Sequence, residues 1–236
     1  MVFTNPQFTF YDRVAESRGT SSDLFNDAHL APLASQGSFI LSLIAPLVSG
    51  RRVLDFGCGE GAVVATGLKE GWDAKGYDLN VAGMEEANRY WKTNVFEAGT
   101  FESYLDRYAG TFDAVIALQV FEHLAQPVEL GKQVVKLLKK GGVLLIDVPN
   151  VRQLGEWRSK GSTLDPTAHL CHFSTRTLSN LIEGLGCRVV YRSGAPSFFS
   201  LYRKLHLGNL AYPLGKLSKR MLPPIGTGVC VIGRKQ

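Results

Sequence analysis

The sequence predicts an α/β fold in which a mainly parallel sheet carries helices on both faces. Three observations carry that expectation. Short apolar runs alternate with amphipathic stretches along most of the chain. One of those runs, Arg52 to Phe56, passes directly into a glycine-rich loop. The length, 236 residues with 45% hydrophobic and 20% charged, suits one domain of moderate size.

Each element has its own local reason. Residues 1–35 are polar and turn-rich and read as an N-terminal arm, helical near Ser22 to Leu30. Gln36 to Val48 carries Phe39, Ile40, Leu43, Ile44 and Leu47 at helical spacing. Arg52 to Phe56 is a short buried strand. Ala62 to Glu70 is a helix closed by Gly71, Ala74 to Asp78 a second strand, and Ala82 to Trp91 a second core helix. Asn94 to Glu97 is a short third strand, and Phe112 to Leu118 (FDAVIAL) a strongly β-prone fourth. Pro127 to Leu138 is an amphipathic helix stopped by Lys139-Lys140-Gly141-Gly142. Val143 to Val148 is a fifth strand ended by Pro149. Leu178 to Leu185 is a helix stopped by Gly186, Arg188 to Arg192 a sixth strand, and Gly228 to Gly233 a seventh. On such a sheet ligands bind beyond the carboxyl ends of the strands.

Composition excludes several classes. The apolar content is too high for a mainly disordered chain. The longest nearly apolar stretch, Phe39 to Val48, is about half of the roughly 20 residues a bilayer span needs, so no transmembrane helix is expected. The first residues show no basic-then-apolar leader pattern. Cys58, Cys171, Cys187 and Cys230 are scattered without CxxC spacing. A reduced, cytoplasmic protein is expected.

The charge is uneven. The net charge is +5, yet nine basic residues follow Glu183, the last acid, so the preceding part is net negative. A solvated face, an anionic substrate, an anionic membrane surface or nucleic acid would each account for this.

The segment VLDFGCGEGA, residues 53–62, is the first motif. Gly57 and Gly59 permit a tight strand-to-helix turn and close approach of a ligand to the backbone. Asp78 ends the second strand, where an acid can accept hydrogen bonds from ribose hydroxyls. Gly57, Gly59 and Ala62 also fit the dinucleotide spacing, which leaves an NAD-dependent oxidoreductase as a reading of another class. Asp55 and Glu60 argue against it, because they would repel a pyrophosphate. A cationic ligand with a ribose and no phosphate, such as S-adenosylmethionine, suits these acids.

VLDFGCGEG, the acid of GYD, FDAVIALQVFEHL and KKGGVLLIDVPN together resemble the class I S-adenosylmethionine-dependent methyltransferases. HLCHFSTRTLSNLIEGLGCRV resembles the subgroup that contains the ubiquinone-biosynthesis O-methyltransferases and related small-molecule enzymes. The resemblance covers roughly residues 50–192 and the last strand. It implies a Rossmann-like, seven-stranded, mainly parallel sheet with the last strand antiparallel. It implies S-adenosylmethionine as cofactor and S-adenosylhomocysteine as product. Carried over by motif, Asp55, Gly57, Cys58 and Gly59 would line the methionine part of the cofactor, and Asp78 with Leu79 the ribose side. Thr100 and Phe101 would flank adenine, and Leu118 and Gln119 would lie near the sulfonium.

QVFEHL, residues 119–124, departs from the E-V-L-E-H typical of the ubiquinone-pathway enzymes, some of which are thought to hold a divalent metal there. Gln119 replaces the first acid, and an amide is a poorer ligand for a hard cation than a carboxylate. No metal is therefore expected. Glu122 reads as an acid opening the next helix, and His123 as a residue within reach of substrate. His169 and His172 lie in one loop after the fifth strand. With His123 they are the candidate bases for an acceptor hydroxyl. Ser174 or Thr175 would cap the following helix.

The expected reaction is methyl transfer to a hydroxyl of a small-molecule or lipid-linked acceptor, with a sugar acceptor as the alternative. The expected organisation is an arm and helix over residues 1–48, covering the cofactor site with Phe8, Phe10, Tyr11 and His29, and a core over 49–236. A basic amphipathic insertion at 195–226 would serve as lid, dimer contact or peripheral membrane contact. A monomer or homodimer that does not bind nucleic acid is expected.

Overall fold

A computed structural model describes residues 24–151, 169–193 and 228–236. The arm residues Phe8, Phe10 and Tyr11, most of the loop after the fifth strand, and the insertion at 195–226 lie outside the described residues.

Helix α1 spans Asp27–Ile44 and continues into a 3-10 turn, Ala45–Leu47. Asn26 caps it, its side chain accepting the His29 N–H. The two helical segments expected here are thus one helix, with Pro32 inside it. Helix and turn together run 21 residues, and a mean hydropathy of 1.5 over an 18-residue window makes this stretch long and apolar enough to cross a membrane by those measures alone. It therefore passes the test that the shorter apolar run, Phe39 to Val48, fails. Its Leu30, Gly37, Ile40, Leu41 and Ile44 face is buried. Gly37 makes the close approach to the next helix possible, since a Cβ there would lie 3.1 Å from the Val63 Cα.

Strand β1 (Arg52–Phe56) leads through the glycine loop to α2 (Ala62–Lys69). Strand β2 (Asp73–Tyr77) leads to α3 (Val81–Trp91), capped by Asn80, which accepts the Gly83 N–H. Strand β3 is only Phe96–Glu97. Helix α4 (Phe101–Tyr108) follows, capped by Thr100; the sequence reading has no helix here. Strand β4 (Phe112–Leu118) ends in a 3-10 turn, Phe121–His123, before α5 (Pro127–Leu137).

Strand β5 runs Leu138–Pro149, longer than the six residues expected, because the chain turns extended at once after α5. Its register against β4 jumps between Leu138 and Val143, and Gly141 takes up the irregularity with φ 78°. Helix α6 (Thr175–Gly184) starts with Ser174 and Thr177 in a reciprocal capping box. Strands β6 (Cys187–Ser193) and β7 (Gly228–Lys235) complete the sheet.

The order is β3-β2-β1-β4-β5-β7-β6, parallel except that β7 runs antiparallel to both β5 and β6. Both faces are covered, so the central strands are buried along their length. Leu54, Phe56, Val115, Ala117, Leu144, Ile146 and Val231 face the core with α4, α5 and α6. Val53, Ala114, Ile116, Val143, Leu145 and Ile232 face the core with α1, α2 and α3. By the two-residue alternation Asp55 and Asp147 point to this second side, at the carboxyl ends of β1 and β5.

Candidate active site

The loop after β1 bends through three left-handed glycines, with φ 78° at Gly57, 50° at Gly59 and 76° at Gly61. The Gly57 and Cys58 N–H groups both donate to the Tyr77 carbonyl, at 2.7 and 3.2 Å, which fixes the loop to the end of β2. Gly61 leaves room for the Phe96 ring, which a Cβ would meet at 2.3 Å. At Gly59 nothing among the described residues lies within 4 Å of an added Cβ.

Asp78 follows β2. Its Oδ2 accepts the Gly59 N–H at 3.1 Å and its Oδ1 the Asn80 N–H at 3.0 Å. It thus joins the glycine loop to the start of α3 and keeps lone pairs free for hydroxyl donors. Asp55 is buried, 4% exposed. Burial first and Asp78 second raise its pKa to about 7. Glu60 accepts Trp91 Nε1 on its carbonyl, and its carboxylate lies 3.9 Å from His29 Nε2 of α1.

Beyond β4, Gln119 is a non-glycine residue with φ 55°. Its N–H donates to the Asp147 carbonyl at 2.8 Å, and its Nε2 donates to Asp147 Oδ1 at 2.9 Å. Val120 then packs under Gly57, where a Cβ would meet its Cγ2 at 2.5 Å.

Glu122 does not open a helix. It sits in the 3-10 turn, 1% exposed, four residues ahead of Gln126, the N-cap of α5. Among the described residues neither of its carboxylate oxygens has a hydrogen-bond partner. Burial first, with Asp147 adding, raises its pKa to about 8. The histidine loop is strapped onto this turn: the Cys171 N–H donates to the Glu122 carbonyl at 2.9 Å and its Sγ to the Leu124 carbonyl at 3.3 Å. The His123 and His169 rings meet edge to face, 4.9 Å between centroids. One ligand atom each from Glu122, His123 and His169 lies within 4.8 Å of the others, a grouping able to hold a metal ion. Two imidazoles and a carboxylate are a donor set that suits zinc or iron better than magnesium.

The fold therefore brings Asp55, Gly57, Gly59, Asp78, Leu79, Leu118 and Gln119 to the carboxyl ends of β1, β2 and β4. Leu79 is 46% exposed there and available to a ligand. Two expected residues are used differently. The Phe101 ring is buried against Phe56 and Tyr77, because α4 begins at that residue and turns it inward. The Cys58 thiol is also buried, 3.5 Å from Met84 Sδ, and burial pushes its pKa up. Thr100 caps α4. His172 is exposed and makes no hydrogen bond or ring contact among the described residues. The sequence reading did not single out Asp147, although an acid interrupting VLLIDV was a visible signal.

Residues 29–192 match the family model described as "Methyltransferase domain". The chain is 28% identical over 109 residues to the "Ubiquinone biosynthesis O-methyltransferase" of Pectobacterium atrosepticum, covering 43% of this chain and 44% of that protein. It is 31% identical over 105 residues to the protein of the same description from a Caulobacter strain, covering 43% and 42%. The matched segment thus spans less than half the length of these relatives. Among solved structures, a SAM-dependent methyltransferase from Archaeoglobus fulgidus superposes with TM-score 0.60 at 21% identity, covering 95% of this chain and 99% of that one. Phosphoethanolamine N-methyltransferase 2 of Haemonchus contortus superposes with TM-score 0.66 at 15% identity, covering 96% and 60%. At those identities the likeness shows the fold alone.

Proposed function

The chain belongs to the methyltransferase domain family, and from that footing we propose that it moves a methyl group to a hydroxyl of a small-molecule or lipid-linked acceptor. S-adenosylmethionine is the cofactor that family and fold imply. The observation that carries the proposal is the joining of two features at one sheet end. An acid-lined glycine loop lies beside a histidine pair, and Val120 against Gly57 links them.

The residues fit the cofactor. No described residue crowds Gly59 beside Asp78, whose remaining lone pairs suit ribose hydroxyls. Asp55 and Glu60 offer negative charge to the ammonium and sulfonium and would oppose a pyrophosphate. No cation is paired with Asp55 among the described residues, so a cationic ligand would relieve its burial.

When bound, S-adenosylmethionine supplies an electrophilic methyl on a positively charged sulfur. The chain's own task is alignment, which supplies most of the rate in such transfers. Asp78 holds hydroxyls, the left-handed glycines bring main chain close, and Leu118 and Gln119 border the reacting end. His123 or His169 accepts the hydroxyl proton as the oxygen becomes nucleophilic. Glu122 Oε1 lies 3.9 Å from His123 Nε2, beside that proton's destination. The reaction is proposed to run in the cytoplasm.

Calorimetric titration with S-adenosylhomocysteine, with NADH as control, tests the reading. Binding of the first alone is expected. Binding of NADH alone would reassign the glycine loop to a dinucleotide.

A further inference from the structure

We propose that Asp147 is a positioning residue that acts through Gln119, holding the end of β4 in the one bend that joins the cofactor loop to the histidine pair. The inference rests on the function proposed above and adds a residue to it.

Two non-glycine residues have a left-handed φ among the described residues, Lys92 and Gln119. Lys92 needs no further cause, since it is an exposed helix C-cap. Gln119 directly follows β4, where the left-handed region costs about 1 kcal/mol or more for a residue with a Cβ. Such a conformation persists only where its surroundings impose it. Here they come from one residue. The Gln119 N–H donates to the Asp147 carbonyl at 2.8 Å, and its side-chain Nε2 turns back to Asp147 Oδ1 at 2.9 Å. Leu118 is paired with Asp147 in register, so the partner is fixed by the sheet itself.

The bend has consequences on both sides. It carries Val120 onto Gly57 of the cofactor loop. It also sends Phe121 and Glu122 into the interior, from which His123 meets His169. Asp147 is buried in an otherwise apolar strand, VLLIDV, where a valine or isoleucine would pack without desolvating a carboxyl. Packing does not explain the acid; the bond to Gln119 does.

The test compares amide hydrogen exchange at residues 120–123 in the wild type, Gln119→Ala and Gln119→Gly. Alanine keeps the backbone strain and loses the latch; glycine loses both. Exchange about tenfold faster in Gln119→Ala, and close to wild type in Gln119→Gly, is expected. Equal behaviour of the two variants overturns the proposal. In parallel, Asp147→Ala is expected to weaken S-adenosylhomocysteine binding about tenfold and Asp147→Asn, which keeps an acceptor oxygen, about twofold or less. Unchanged affinity in Asp147→Ala overturns the positioning role. A wild type that binds no S-adenosylhomocysteine but shows the expected exchange pattern upholds the latch and removes the cofactor reading instead.

Discussion

Val120 occupies the space that a side chain on Gly57 would need: an added Cβ would lie 2.5 Å from its Cγ2. The loop after β4 and the cofactor loop after β1 are thus in direct steric contact, and neither can be altered without the other.

Gly57→Ala therefore meets two penalties, a left-handed φ of 78° and a clash. A loss of about 2–4 kcal/mol in stability is expected from strain and overpacking together. The double variant Gly57→Ala with Val120→Ala should recover the packing part only. Thermal melts of the three proteins measure this; equal stability of the two glycine variants would mean Val120 yields freely.

Asp78→Ala removes the acceptor for the Gly59 and Asn80 N–H groups as well as the ribose contact. A fall of about a hundredfold or more in S-adenosylhomocysteine affinity is expected, since charged hydrogen bonds contribute about 1.5–3 kcal/mol each. Unchanged affinity in calorimetry would sink the cofactor site.

Asp55 gives a pH signature. Its pKa is raised from 3.8 to about 7, by burial first and Asp78 second, so the folded state holds the proton more tightly than the unfolded. Its contribution to stability is complete below pH 3.8 and is lost as pH rises toward about 7. Asp55→Asn, neutral throughout, should exceed wild-type stability at pH 8 by on the order of a few kcal/mol, and by less at pH 5. Cofactor affinity of the wild type should rise between pH 6 and pH 8 as the carboxylate ionises. Melts and titrations across that range decide it; a flat profile in both refutes the assignment.

The histidines should separate. His123→Ala and His169→Ala are expected to lower kcat about a hundredfold, the lower end of general-base effects, with S-adenosylhomocysteine affinity nearly unchanged. His172→Ala, at an exposed position, should stay within about twofold of wild type. If His172→Ala falls as far as His169→Ala, the base has been misplaced.

Activity is expected to survive exhaustive chelation. Gln119 stands where the ubiquinone-type motif has an acid, and its amide is engaged by Asp147. A loss restored by a divalent cation would instead make Glu122, His123 and His169 a metal centre.

Much of this was legible in the sequence. The β1 and β4 boundaries, Arg52–Phe56 and Phe112–Leu118, follow from apolar runs with sharp ends. The glycine loop and Asp78 follow from spacing. Helix α4 escaped because it is only eight residues long, about two turns, too few for its periodicity to stand out. Glu122 escaped for a different reason. Local pattern placed it at a helix start, but it sits buried in a 3-10 turn, and its carbonyl accepts the Cys171 N–H, 49 positions later. The Gln119–Asp147 bond likewise spans 28 positions and exists only through the pairing of β4 with β5.

The place of β7 bears on how the protein is made. Gly228–Lys235 is translated after the other described strands, yet it lies between β5 and β6 and pairs with both. Until those residues leave the ribosome, β6 has no neighbour in the sheet and the edge of β5 stands open. A nascent chain halted before Gly228 would expose Val143, Leu145 and Val148 along an unpaired edge, an invitation to a chaperone or to another strand.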